Sequence, residues 1–302
     1  MATLPYDQPG VSVRKCATLF FSGSDCPSLE VIASVAAWVA ETGERWRFRF
    51  ARSAAELRWN EFDDLSIARI TERLSRQWMF ELCSEPDGTG CKLGVSRACN
   101  WRGSPMASHM SIEFVEDASA ATLAAFATWA IDRIPFMWGS VGFVFARPFN
   151  WGFYLDDKAT RAAAKRYWAI QILDPVLLQR DALRGMPGVN WLTLVGSDFA
   201  GAVSLSIDAL AAQASDLVGE GIFHRRGRHG LALAAGRRPL LGDVNLGDDL
   251  TAYARVAGLL HPLMLREHTL LAGPLERPEV ASAWLGRFEN PKDWLNCEIA
   301  AD

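Results

Sequence analysis

Three adjacent carboxylate pairs, Asp63-Asp64, Asp156-Asp157 and Asp248-Asp249, are the residues of this chain best suited by type to general acid and base work or to holding a hard cation such as magnesium. Each pair precedes a segment with helical periodicity, where a carboxylate accepts hydrogen bonds from free amides at the positive end of the helix. Capping therefore accounts for them without catalysis. Cys26, followed by Pro27 just ahead of another helix start, is a thiol that a helix N-terminus would push toward a nucleophilic thiolate. No histidine is fixed beside it by sequence, so a structural thiol is the simpler reading. The histidines, His109, His224, His229, His261 and His268, show no metal-ligand spacing. His224 and His229 share a short stretch with Arg225, Arg226 and Arg228, whose charge repels a cation. That basic tip reads as a solvated hairpin turn, with a surface for an acidic partner as the sharper alternative.

Other chemistries leave recognisable patterns, and this chain lacks them. It has no GxxxxGK(S/T) phosphate loop, no GxGxxG dinucleotide turn, no HExxH zincin helix and no GxSxG nucleophile elbow. The expectation is no catalytic residue, no metal site and no cofactor; the sequence assigns no binding residue either. Net charge is -4 with 22% charged residues, and acidic and basic groups are mixed along the chain. That balance argues against nucleic acid as the main partner and suits a basic protein partner through electrostatic steering.

At 302 residues with half of them hydrophobic, the chain has ample material for a sizeable core, and 12 tryptophans supply large core anchors. The first ten residues, with Pro5 and Pro9, carry no basic run followed by an apolar stretch. The longest apolar runs are well short of the roughly 20 residues that span a bilayer. A cytoplasmic protein with no membrane segment is expected. Cys16, Cys26, Cys83, Cys91, Cys99 and Cys297 show no CxxC pairing. Cys83 and Cys91 flank a Pro-Asp-Gly turn and Cys99 follows, so a cross-strand disulfide among the three is conceivable. A reducing compartment favours thiols.

The elements that would position these residues follow from periodicity. Strands are expected at Cys16–Phe21, Arg45–Phe50, Met79–Cys83, Cys91–Val95, Met110–Val115, Val141–Phe145, Trp191–Val195, Gly221–Arg226 and Leu231–Ala235. Helices are expected at Ser28–Glu41, Leu65–Arg76, Ala118–Arg133, Lys158–Leu173 with Pro175 ending it, Leu205–Leu217, Leu250–Leu260 and Pro278–Phe288. The irregular interleaving predicts an α+β fold with mixed, largely antiparallel sheets and flanking helices. One domain over 1–302 is expected, with the loop Phe149–Asp157 as a divide between lobes of about 1–150 and 151–302.

Two stretches and a short third one narrow the class. Leu241 to Asp249 reads LeuGlyAspValAsnLeuGlyAspAsp, Asn190 to Gly196 reads AsnTrpLeuThrLeuValGly, and Trp284 to Phe288 reads TrpLeuGlyArgPhe. Together, from about Trp101 to Trp294, they resemble the type VI secretion immunity family (TsiV-like), while the first 100 residues match it less clearly. Physically, Gly242 and Gly247 permit positive φ, and Asp243 and Asn245 can bond nearby amides, so the first stretch reads as a turn with a structural role. The resemblance implies a stoichiometric inhibitor that captures a cognate effector toxin encoded by a neighbouring gene. With no export signal, that effector is expected to act in the cytoplasm, on nucleic acid or nucleotides. The other readings are an enzyme that reverses a toxin's modification and a scaffold subunit that self-associates through exposed tryptophans.

Overall fold

The computed structural model of the chain describes residues 12–23, 27–53, 56, 58–62, 79–88, 90–97, 103–146, 157–172, 175–267 and 277–297. Its strands, in chain order, are β1 (Ser12–Phe21), β2 (Phe50–Ser53), β3 (Asn60–Glu61), β4 (Met79–Cys83), β5 (Lys92–Ser96), β6 (Ser108–Glu113), β7 (Trp138–Ala146), β8 (Leu192–Gly196), β9 (Ile222–Arg226) and β10 (Gly230–Ala235). They form one open sheet in the order β3-β2-β4-β5-β6-β1-β7-β8-β10-β9. Every pairing in it is antiparallel. The helices among the described residues are α1 (Leu29–Thr42), α2 (Ala120–Arg133), α3 (Asp157–Arg166), α4 (Pro175–Leu178), α5 (Ser197–Ala202), α6 (Ile207–Asp216), α7 (Thr251–Leu259), α8 (Pro278–Leu285) and α9 (Pro291–Asn296). The expected α+β class is what the chain adopts. None of these helices is long and apolar enough to cross a membrane.

Local signals explain the best-formed elements. Ser28 caps α1 by accepting from the Val31 amide, and Gly43 ends it; Ser119 caps α2 by accepting from the Thr122 amide. The apolar stripe of α2, Leu123, Phe126, Ala127, Ala130 and Ile131, is buried. Trp38 of α1 meets Phe126 and Trp129, and Phe114 meets both Phe126 and Trp46, so an aromatic cluster joins the first two helices. The two faces of the sheet are told apart at β9. Arg225 reaches Asp132 on α2, while its neighbour His224 reaches Ser215 on α6. Successive strand residues point to opposite faces, so α2 and α6 cover opposite sides.

Several expectations need correction. Arg45–Phe50 is not a strand: residues 44–46 form a 3-10 turn and β2 begins only at Phe50. Its alternating pattern still reads out burial, with Trp46 and Phe48 buried and Arg45 and Arg49 exposed. The helix expected over Lys158–Leu173 stops at Arg166, because Trp168 and Ala169 donate their amides to the carbonyls of Gly242 and Leu241 rather than to the helix. Pro175 opens α4 instead of ending a helix, as its missing amide allows at a first helical position. The helices α5 and α9 were not anticipated, each only six residues long. The expected helix Leu65–Arg76, most of the loop 149–157 and Cys99 lie outside the described residues. Across that loop the sheet is continuous, since β7 pairs with β8 from Trp138–Val195 to Val141–Leu192.

Cys16, Cys83, Cys91 and Cys297 are free thiols. Cys83 stands opposite Lys92, so Cys91, the residue just before β5, projects from the other face of the hairpin. That alternation keeps the two sulfurs apart however close the strands lie.

Candidate functional site

Several of the residues singled out by type have partners within the fold. Asp248 accepts from the Asp243 amide at 2.8 Å, and Asp249 accepts from the Thr251 amide at 2.9 Å, where it holds the start of α7. That bond to Thr251 keeps the Asp249 carboxyl below its ordinary range. Asp157 opens α3. Asp63, Asp64, Asp156, Cys26 and His268 lie outside the described residues. His109 is buried beside Phe20, and His261 pairs with Glu289 at 2.9 Å. No group of three or more metal-ligating side chains forms among the described residues.

The basic tip of the β9–β10 hairpin meets acids, but they belong to the same chain. Arg226 pairs with Asp208 at 3.1 Å and Arg225 with Asp132 at 3.5 Å, while the Arg228 amide faces Asp132 at 3.4 Å. The tip is thereby latched to the end of α2, where the His229 amide also donates to the Ile131 carbonyl.

Two arrangements that periodicity alone did not reveal emerge from the tertiary structure. The first is a charged row on one face of the sheet. The registers place Arg52 opposite Glu81 on β4, and Lys92 opposite Glu113, which in turn faces Cys16 on β1. Arg52 grips one Glu81 oxygen at 2.7 and 2.9 Å, Lys92 meets Glu113 at 2.7 Å, and Arg14 reaches Glu113 at 3.5 Å. Burial pushes the Glu81 carboxyl up despite Lys92 and Arg52. Burial would pull Lys92 down, but Glu113 and Glu81 outweigh it and hold the ammonium charged. Burial also drives the Cys16 thiol up to about 12 and raises Cys83, which moves both away from a nucleophilic thiolate. Signs alternate along the row, so these charges satisfy one another.

The second arrangement centres on residues 165–168, just where α3 ends. Arg166 donates from Nε to both Asp243 oxygens at 2.9 and 3.0 Å and from Nη2 at 2.7 Å. Asp243 also accepts from the amides of Asn245 and Leu246 at 3.1 and 3.4 Å. Its burial raises the carboxyl, yet Arg166 and those amides prevail and hold it below the ordinary range. Gly242 takes φ +72°, and a Cβ there would lie 2.6 Å from the Ala169 nitrogen, so the chain approaches backbone to backbone. Lys165 donates to the carbonyls of Trp294 and Cys297 and lies 4.1 Å over the Trp294 ring. Arg287, fully buried, donates to Trp168 and Trp284 carbonyls at 2.8 and 2.9 Å and stacks 3.9 Å over Trp284. Burial pulls its guanidinium down to about 9, which leaves it a cation at neutral pH.

The turn reading of Leu241–Asp249 is thus what the structure adopts. The Asn190 stretch has an equally local cause. A Cβ at Gly142 would fall 2.0 Å from Asn190 Oδ1, so glycine makes room for the amide that donates to the Phe143 carbonyl and accepts from the Trp191 nitrogen. Arg287 stood in the TrpLeuGlyArgPhe stretch without any signal of its burial. Lys165 and Arg166 sat inside a segment read as continuous helix.

The family described as type VI immunity for VRR-NUC, TsiV, matches residues 102–288. The stretches Leu241–Asp249 and Asn190–Gly196, Arg166 and Arg287 all fall within that match. Among solved structures, a Pseudomonas aeruginosa T6SS protein, PA0821, is similar over 100% of this chain and 91% of its own, with a TM-score of 0.68 and 17% identity. At that identity the likeness is one of fold. No curated protein matches the chain.

Proposed function

Because the chain belongs to the type VI immunity family for VRR-NUC, we propose that it is a stoichiometric inhibitor that binds one cognate effector toxin and holds it inactive by protein contact, without turnover. The match over 102–288 carries this reading. It spans α2, the central strands β7 and β8, the 165–168 junction and all of α8.

The cognate effector is taken to be a VRR-NUC protein encoded by a neighbouring gene, which we read as acting on nucleic acid in the cytoplasm, where this chain would meet it. Inhibition would follow from covering the effector's active site or blocking a movement it needs, around a few anchors in a patch of about 800 Å² per partner. We take residues 1–302 to work as one immunity-type domain, a reading supported by the unbroken pairing of β7 with β8.

Co-expression of the neighbouring gene with and without this chain tests the reading. Protection of the host, co-purification of the pair and saturation near one chain per effector are expected. Neither protection nor co-purification would end the immunity reading. Protection at far lower ratios would mean turnover, and a substrate consumed many times per chain would replace inhibition with enzymatic reversal.

A further inference from the structure

Leu246 is 65% exposed, more than any other large hydrophobic side chain among the described residues. It stands at the tip of a turn that cannot fold inward to hide it. Its own amide donates to both the carbonyl and the side chain of Asp243, at 3.2 and 3.4 Å. Asp243 is in turn clamped by Arg166, and the Asp248 amide closes the loop on the Asp243 carbonyl at 3.1 Å. Flanking Asn245 and Asp249 are exposed, so the leucine projects from a polar rim. A second exposed leucine, Leu295 at 55%, lies on the segment whose Trp294 and Leu295 carbonyls accept from Lys165, the residue before Arg166. An apolar side chain presented on a rigid turn loses little conformational entropy when a partner covers it, which is the property of an interface anchor.

We propose that Leu246 is the apolar anchor through which this chain docks its effector, with Leu295 as the second contact. The proposal rests on the immunity reading and adds the contact surface to it. Its committed occupant is the effector's nucleic-acid-handling face. Such a face is cationic to neutralise phosphates, and the exposed Asp249, three residues after Leu246 on a chain of net charge -4, offers the complementary sign.

The test is titration of the purified product of the neighbouring gene against wild type, L246D, L246S and L295D, with V203D as control. Val203 is 49% exposed and follows α5, beyond the end of β8 that pairs with Trp138. L246D and L246S are expected to weaken binding by about 30-fold or more and V203D by less than about twofold. Far-UV circular dichroism and the thermal midpoint of each free variant should match wild type, since Leu246 supports no core contact. L246D and L246S that bind as tightly as wild type would overturn the anchor and leave the immunity reading standing. Equal weakening by V203D would overturn it as well, by making any added carboxylate sufficient. A wild-type chain that does not bind would remove both proposals together.

Discussion

Arg166 and Asp243, 77 residues apart, form a three-bond grip with a donor–acceptor distance as short as 2.7 Å, and the turn Leu241–Asp249 is built on it. Asp243 is almost fully buried and Arg166 only slightly exposed. Removing one partner of such a pair leaves the other charged and poorly solvated. Asp243→Ala should therefore lower the unfolding free energy by about 3 kcal/mol. Urea unfolding checks this, and a loss within experimental scatter of zero would show that the grip contributes nothing.

The same carboxyl sets an acid limit. Its folded-state pKa lies below its ordinary value of 3.8, so the folded chain binds fewer protons there than the unfolded one. The stabilisation is complete above 3.8 and is lost as pH falls through the lower folded value. Wild type should lose stability more steeply than Asp243→Ala as pH drops below 3.8. Parallel curves from thermal melts at stepped pH would contradict the assignment.

Two glycines of the turn should differ when replaced by alanine. Gly242 and Gly247 take φ +72° and +74°, but a Cβ at Gly242 also meets Ala169 at 2.6 Å, while one at Gly247 meets nothing within 4 Å. Gly247→Ala should cost about 1 kcal/mol from backbone strain alone. Gly242→Ala should cost at least about twice that, because backbone must move. Similar chemical-denaturation midpoints for the two would rule out the close approach.

Arg287 is a buried cation held by the carbonyls of Trp168 and Trp284 and by the rings of Trp284 and Phe288. A lysine there keeps the charge but cannot reach both carbonyls while lying flat on Trp284. Arg287→Lys should destabilise by about 2 kcal/mol, and Arg287→Met, which removes the buried charge along with the bonds, should cost less. The reverse order in urea unfolding would mean that the charge itself matters more than the planar fork.

Cys16, Cys83 and Cys91 are buried with raised pKa values. Mass spectrometry after iodoacetamide treatment at neutral pH should find all three unmodified in the native chain and alkylated after denaturation. Alkylation of the native protein at any of them would show that the sheet opens there.

Much of the fold was legible. The strand Met79–Cys83 follows from alternation, and the helices expected at Ser28–Glu41 and Ala118–Arg133 form as Leu29–Thr42 and Ala120–Arg133, since period and capping act over a few residues. Where distant contacts compete with local preference, sequence reading failed. The helix after Asp157 ends at Arg166 because the chain there pairs with residues 241–243, and the alternation at 45–50 reports which side chains are buried without making a strand. The turn role of Asp243 was readable from its neighbours, but its partner Arg166 was not, since nothing in either segment encodes the other's position.

By itself, then, the sequence determined the α+β class, the positions of most strands and helices, the turn at Leu241–Asp249 and the resemblance to type VI immunity proteins, because periodicity, caps and positive-φ glycines are local properties. Strand order, the row of alternating charges from Arg52 to Arg14, the burial of Arg287 and the exposure of Leu246 were decided only by tertiary structure. Each depends on which distant segments come to lie side by side, and residue type constrains that choice only through the packing of the whole chain.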